Sequence, residues 1–96
     1  MSNTTAFSFE QISHSNKPQK FDERLFASNE GVAEKAFITS EGNWRIRYDG
    51  GDPSVTEGHL LRDGSAFILH GELQIRKFRA ISLTDDSVLS ISFERK

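Results

Sequence analysis

The chain has 96 residues, a formal net charge of −2 and no cysteine, so one small domain is expected, held by neither disulfides nor thiolate-bound metal. Charge is evenly spread: six Lys/Arg and six Asp/Glu precede Asp49, and six and eight follow from Asp49 onward. That balance argues against the net basic face usual in general nucleic-acid binders, so nucleic acid is not an expected partner, and it carries far too little acid for a DNA mimic.

The polar Met1–Ala6 segment has neither the basic nor the apolar region of a secretory leader, and nowhere do 18 apolar residues run together, so neither a signal peptide nor a membrane span is expected. Without cysteine, an intracellular or viral setting fits better than a small secreted scaffold. The core must come from eight Phe with Trp44 and Tyr48. A chain of this size buries about 60–65% of its unfolded surface, so its stability alone is modest and partners matter.

In chain order, Phe7 and Phe9 alternate with Ser8 and Glu10 and read as a first strand. Residues 1–19 thus form an N-terminal strand or arm plus a loop, the loop being Ser13–Lys20 with His14, Asn16 and Pro18. That strand either pairs within its own sheet or reaches to a neighbouring subunit. Lys20–Phe26 reads as a second strand. Ser28–Phe37 has Val32, Ala33, Ala36 and Phe37 at helical spacing after Ser28 or Asn29 as N-cap, so a short helical turn over 29–37 competes with a strand over Lys35–Thr39. Trp44, Ile46 and Tyr48 alternate with Arg45 and Arg47, which places the two arginines on the opposite face. Ala66–Leu69 and a long Leu73–Leu83 run follow; the apolar phase of the latter slips between Ile75 and Phe78 and again between Ala80 and Ile81, as at a bulge or strand break. Leu89, Ile91 and Phe93 alternate with Ser90 and Ser92 as the last strand.

The intervening Glu41-Gly42-Asn43, Asp49–Pro53, Arg62–Ser65, His70-Gly71 and Thr84–Ser87 are turn-formers. Seven to eight short strands between such turns predict one all-β domain over 1–96, a small antiparallel β-sandwich of jelly-roll or immunoglobulin-like type.

Chemistry finds no carrier in this pattern. His14, His59 and His70 show no metal-ligand spacing, and Asp49-Gly50-Gly51-Asp52 lacks the further oxygen ligands of a calcium loop. Ser54, His59 and Asp52 lie close in sequence, which alone supplies no triad geometry, and no phosphate-binding glycine motif is present. No catalytic residue, cofactor or metal is therefore expected. The one cationic cluster is Arg76-Lys77-Phe78-Arg79, with Arg45 and Arg47 as neighbours. A solvated face balanced by carboxylates competes there with contact to a partner subunit.

Trp44-Arg45-Ile46-Arg47-Tyr48-Asp49-Gly50-Gly51-Asp52-Pro53-Ser54, then Gly58-His59-Leu60-Leu61, Phe67-Ile68-Leu69, Phe78-Arg79-Ala80-Ile81 and Leu89–Phe93, resembles small virion proteins of tailed bacteriophages. These carry a Tyr-Asp-Gly-x-Asp-Pro-Ser/Thr turn between strands; a similar turn occurs in immunoglobulin-like accessory domains of carbohydrate enzymes. The resemblance covers Trp44–Phe93 and implies an architectural motif of Trp44, Tyr48, Asp49, Gly50, Asp52, Pro53 and Gly58.

It further implies a non-enzymatic structural protein of the virion, made in the host cytoplasm. The expected type is a capsid decoration or cement subunit, with the major capsid protein or head and neck components and further copies of itself as partners. Phe7, Phe9, Arg45, Arg47, Arg76 and Arg79 are the candidate interface residues. A carbohydrate-binding module presenting Trp44 and Tyr48, and a small phage-encoded inhibitor of a host protein, are the alternatives.

Overall fold

A computed structural model describes residues 5–28 and 31–95. They form β1 (Thr5–Ser13), α1 (Glu23–Phe26), β2 (Ala27–Ser28), β3 (Gly31–Val32), β4 (Lys35–Glu41), β5 (Trp44–Arg47), β6 (His59–Leu61), β7 (Ala66–His70), α2 (Glu72–Lys77), β8 (Arg79–Ser82) and β9 (Val88–Arg95). Seven strands make two antiparallel sheets in the orders β1-β9-β4-β7 and β6-β5-β8, while β2 and β3 form a two-residue ribbon. The chain is the small all-β fold its alternation predicts. Its strand order is particular: β9 lies between β1 and β4, whereas the last strand of an immunoglobulin domain joins the opposite sheet.

Alternation explains the layers. Along β9, Leu89, Ile91 and Phe93 are fully buried while Ser90, Ser92 and Glu94 face outward. Ile38 of β4 joins them, and Trp44, Ile46 and Ala80 close the same cluster from the smaller sheet. Trp44 donates its indole N–H to the Glu41 carbonyl at 3.3 Å, so its polar atom is satisfied. One end is filled by Phe rings: Phe21 stacks on Phe78 at 4.4 Å between centroids and meets Phe93 edge-on at 5.2 Å. At the start of β1 the register shifts between Ala6 and Ser8, a bulge that turns Phe7 toward the core with the Arg95 guanidinium 4.7 Å over its ring.

Three expectations are corrected. The expected Lys20–Phe26 strand does not form: after Gln19, which bridges to Ala80, Lys20–Asp22 has no regular structure and Glu23–Phe26 is α1. Asp22 starts that turn by accepting the Arg24 backbone N–H at 3.0 Å. The Leu73–Leu83 strand is α2 followed by β8, and the phase slip after Ile75 marks the helix-to-strand change. The helical turn over 29–37 is absent from its described residues, which are β3, the Ala33-Glu34 link and the start of β4; Ser28 belongs to β2, and Asn29 lies outside the described residues. Ala33 and Ala36 are buried while Val32 and Phe37 are 38% exposed, so the residues with helical spacing point to opposite sides.

Candidate protein-binding face

The residues of the expected turn motif form a self-contained knot between β5 and β6. Arg47 donates from Nε and Nη2 to the two carboxylate oxygens of Asp49 at 3.0 and 2.7 Å, and Nη1 reaches the Asp52 carbonyl at 3.4 Å. Asp49 also accepts the Gly51 N–H at 3.1 Å. The guanidinium lies flat against Gly51, where a Cβ would come within 2.5 Å of its central carbon. Gly50 turns the chain at φ +90° and donates its N–H to the Lys77 carbonyl. Pro53 is buried, and Ser54 closes the far side by accepting the Thr56 and Glu57 N–H groups. Gly58, at φ +123°, passes so close to β5 that a Cβ would lie 3.0 Å from the Ile46 carbonyl oxygen.

Hydrogen bonds from Arg47, then the bond from Gly51, hold the Asp49 carboxyl down at about 2. The same pairing raises Arg47. Beside the knot, Tyr48 stacks on His59 at 5.6 Å and leans on Phe67 at 5.5 Å, lining a shallow depression of about 210 Å³. Trp44, at 0% exposure, offers no platform to a sugar, and Tyr48 is half-buried.

The six expected interface residues do not share a surface. Phe7 is turned toward the core, and Arg76 sits on α2, tied to Glu23 of α1 at 2.8 Å and to Glu72, with Phe26 under its guanidinium at 5.3 Å. Arg45, Arg47 and Arg79 lie on the outer side of the smaller sheet, where Arg47 is directly opposite Arg79. Asp49 balances Arg47, whereas Arg79 donates to the carbonyls of Arg76 and Phe78 and Arg45 to that of Gly58. These guanidiniums serve mainly to close turns. Of the two phenylalanines, Phe9 faces away from the sandwich, 55% exposed on the larger sheet.

Around Phe9 the register assembles a surface the sequence reading missed. Phe9 is opposite Ser92, Ser92 opposite Phe37, and Phe37 opposite Ile68, so one row crosses all four strands. Phe37 and Ile68 are 38% and 41% exposed. One level along lie Gln11, Ser90, Thr39 and Ala66, with Gln11 donating to Ser90 Oγ at 3.1 Å; on the other side lie Ala6, Glu94, Lys35 and His70. An apolar row flanked by small hydroxyls on an open sheet is a docking surface in composition. Phe37 and Ile68 were hidden in the apolar runs Ala36-Phe37-Ile38 and Phe67-Ile68-Leu69, where sequence cannot say which residue faces out.

A serine, histidine and aspartate do meet elsewhere. Ser82 Oγ lies 2.6 Å from His14 Nδ1, and His14 Nε2 is 3.8 Å from Asp85. Nδ1 also lies 3.0 Å from the Thr84 carbonyl, which can only accept, so Nδ1 carries a proton and cannot take one from the serine. The Ser82 hydroxyl gives its own proton to the Ser15 carbonyl at 2.8 Å and is 5% exposed. This cluster fastens the loop after β1 to the turn before β9. Ser54, in its own turn, and His59, on Tyr48, make no comparable set. Among the described residues, no group of three or more His, Asp or Glu side chains is placed to hold a metal ion.

No family model, no curated protein and no solved structure matches this chain.

Proposed function

We propose that this protein is a non-enzymatic binding module that joins other protein chains in a larger assembly through the outer face of its four-stranded sheet. The observation carrying this reading is the Phe9–Ser92–Phe37–Ile68 row, three large apolar side chains left in water on one contiguous face. Leaving them exposed forgoes about 25 cal/mol for each Å² a partner would cover. Following the Trp44–Phe93 resemblance, the assembly is a bacteriophage particle and the protein a capsid decoration or cement subunit located in the virion.

Mass spectrometry of purified particles tests the assembly: the chain is expected in many copies per particle. Absence from particles removes the virion role and leaves the inhibitor reading. The Phe37→Asp variant tests the face, since it should fold normally yet fail to co-purify with particles.

A further inference from the structure

We propose that the outer face of the four-stranded sheet is self-complementary and binds a second copy of this chain about a two-fold axis parallel to the strands. The inference rests on the reading of that face as a binding surface and names its occupant.

The strand order is β1-β9-β4-β7, so the midline of the sheet runs between β9 and β4. A two-fold axis laid along that midline, between two facing sheets, keeps each residue at its own level and exchanges β9 with β4 and β1 with β7. The observed register then dictates what meets what. At the apolar level Phe9 faces Ile68 of the second copy, and Phe37 faces Ser92, a large side chain over a small one on both sides of the axis. At the level of Glu94 and Lys35, each meets its opposite charge from the other copy, giving an alternating square of two acids and two bases. One level the other way, Thr39 meets Ser90, hydroxyl against hydroxyl, and Gln11 meets Ala66. At the rim, Val88 meets Glu41.

Every large residue of the face is thus set over a small or apolar one, and every charge of its central levels over its opposite. Two sheets packed in this way have aligned strands about 10 Å apart, the usual geometry of a β-sandwich. With ~5 Å between strands and ~7 Å between same-face residues, the face measures about 20 by 25 Å and the pair buries roughly 1,000 Å². That is the lower end for a specific interface, so the dimer is weak and its formation depends on concentration.

Sedimentation of the intact chain over a wide concentration range tests the proposal. The wild type is expected to pass from monomer to dimer, and Phe37→Asp to stay monomeric while still unfolding cooperatively, a few degrees lower than the wild type at concentrations where both are monomers. Lys35→Glu puts acid against acid twice, and Glu94→Lys base against base twice, so each alone is expected to be monomeric. An equimolar mixture of these two variants should form a heterodimer, and the double exchange in one chain should dimerise like the wild type, which also serves as the control for folding. A wild type that stays monomeric up to the millimolar range, a dimer indifferent to Phe37→Asp, or a mixture that stays monomeric overturns it. If the wild type is monomeric but Phe37→Asp still loses particle binding, the second copy is excluded and the binding face stands; loss of neither excludes both.

Discussion

Asp49 is one residue with two tasks, pairing with Arg47 and receiving the Gly51 N–H, and its ionisation is therefore linked to folding. Its folded-state value near 2 lies below its ordinary 3.8, so the stabilisation is complete above about pH 4 and is lost as pH falls through about 2. Glu10 acts with the opposite sign. Burial pushes its carboxyl above 4.5, against the hydrogen bond from the Asp22 N–H and with the help of the Asp22 charge, so its contribution is present below 4.5 and lost as pH rises through the folded value. Urea unfolding against pH should therefore show the Asp49→Asn variant with a flatter acid limb. Glu10→Gln, which keeps an acceptor for Asp22, should be more stable than wild type at neutral pH. The glycines of the same knot also separate. Gly50→Ala makes only ordinary contact with the Lys77 side chain at 3.8 Å and bears the cost of positive φ, about 1–2 kcal/mol, whereas Gly58→Ala adds a close contact with the Ile46 carbonyl and should cost about 2–4 kcal/mol in denaturant unfolding.

Among the elements, the strands with one residue in and one out were legible: β5 and β9 lie where Trp44-Arg45-Ile46-Arg47 and Leu89–Phe93 alternate. Trp44→Ala should cost about 3–5 kcal/mol, since the ring is wholly buried between the sheets; a thermal midpoint within a few degrees of wild type would contradict that placement. The two helices were not legible, for different reasons. A four-residue turn such as α1 is too short to show a period, and its signal was the single Asp22 cap. In α2 the signal was present but misread: buried Ile75 and Phe78 are three apart, which a period of two registers as a slip. Conversely, the helical spacing from Val32 to Phe37 was accidental, because Ala33 reaches the core from the link after β3 and Ala36 from β4.

For the whole molecule, the candidate face could not have been read from sequence, because it exists only through register. Phe9, Phe37 and Ile68 are each about thirty residues apart in sequence and become neighbours when β9 seats Ser92 between the first two. Phe9 was marked by its alternation, but of the arginines marked with it Arg45, Arg47 and Arg79 close turns on the other sheet and Arg76 ties α2 to α1. Doubling the apolar loss with Phe9→Asp and Ile68→Asp together should abolish association while leaving thermal stability nearly unchanged, as measured by sedimentation and calorimetry. The position of β9 also sets a timetable. The strand that holds β1 to β4 is the last of the described strands to leave the ribosome, so until it emerges β1 has no neighbour and the inner side of the larger sheet has no centre. Folding must then wait for residues 88–95 and proceed by closing a loop of some eighty residues, a slow step by topology. Until that moment the nascent chain exposes the very side chains that later make its core, and its yield in a cell depends on how well that interval is protected.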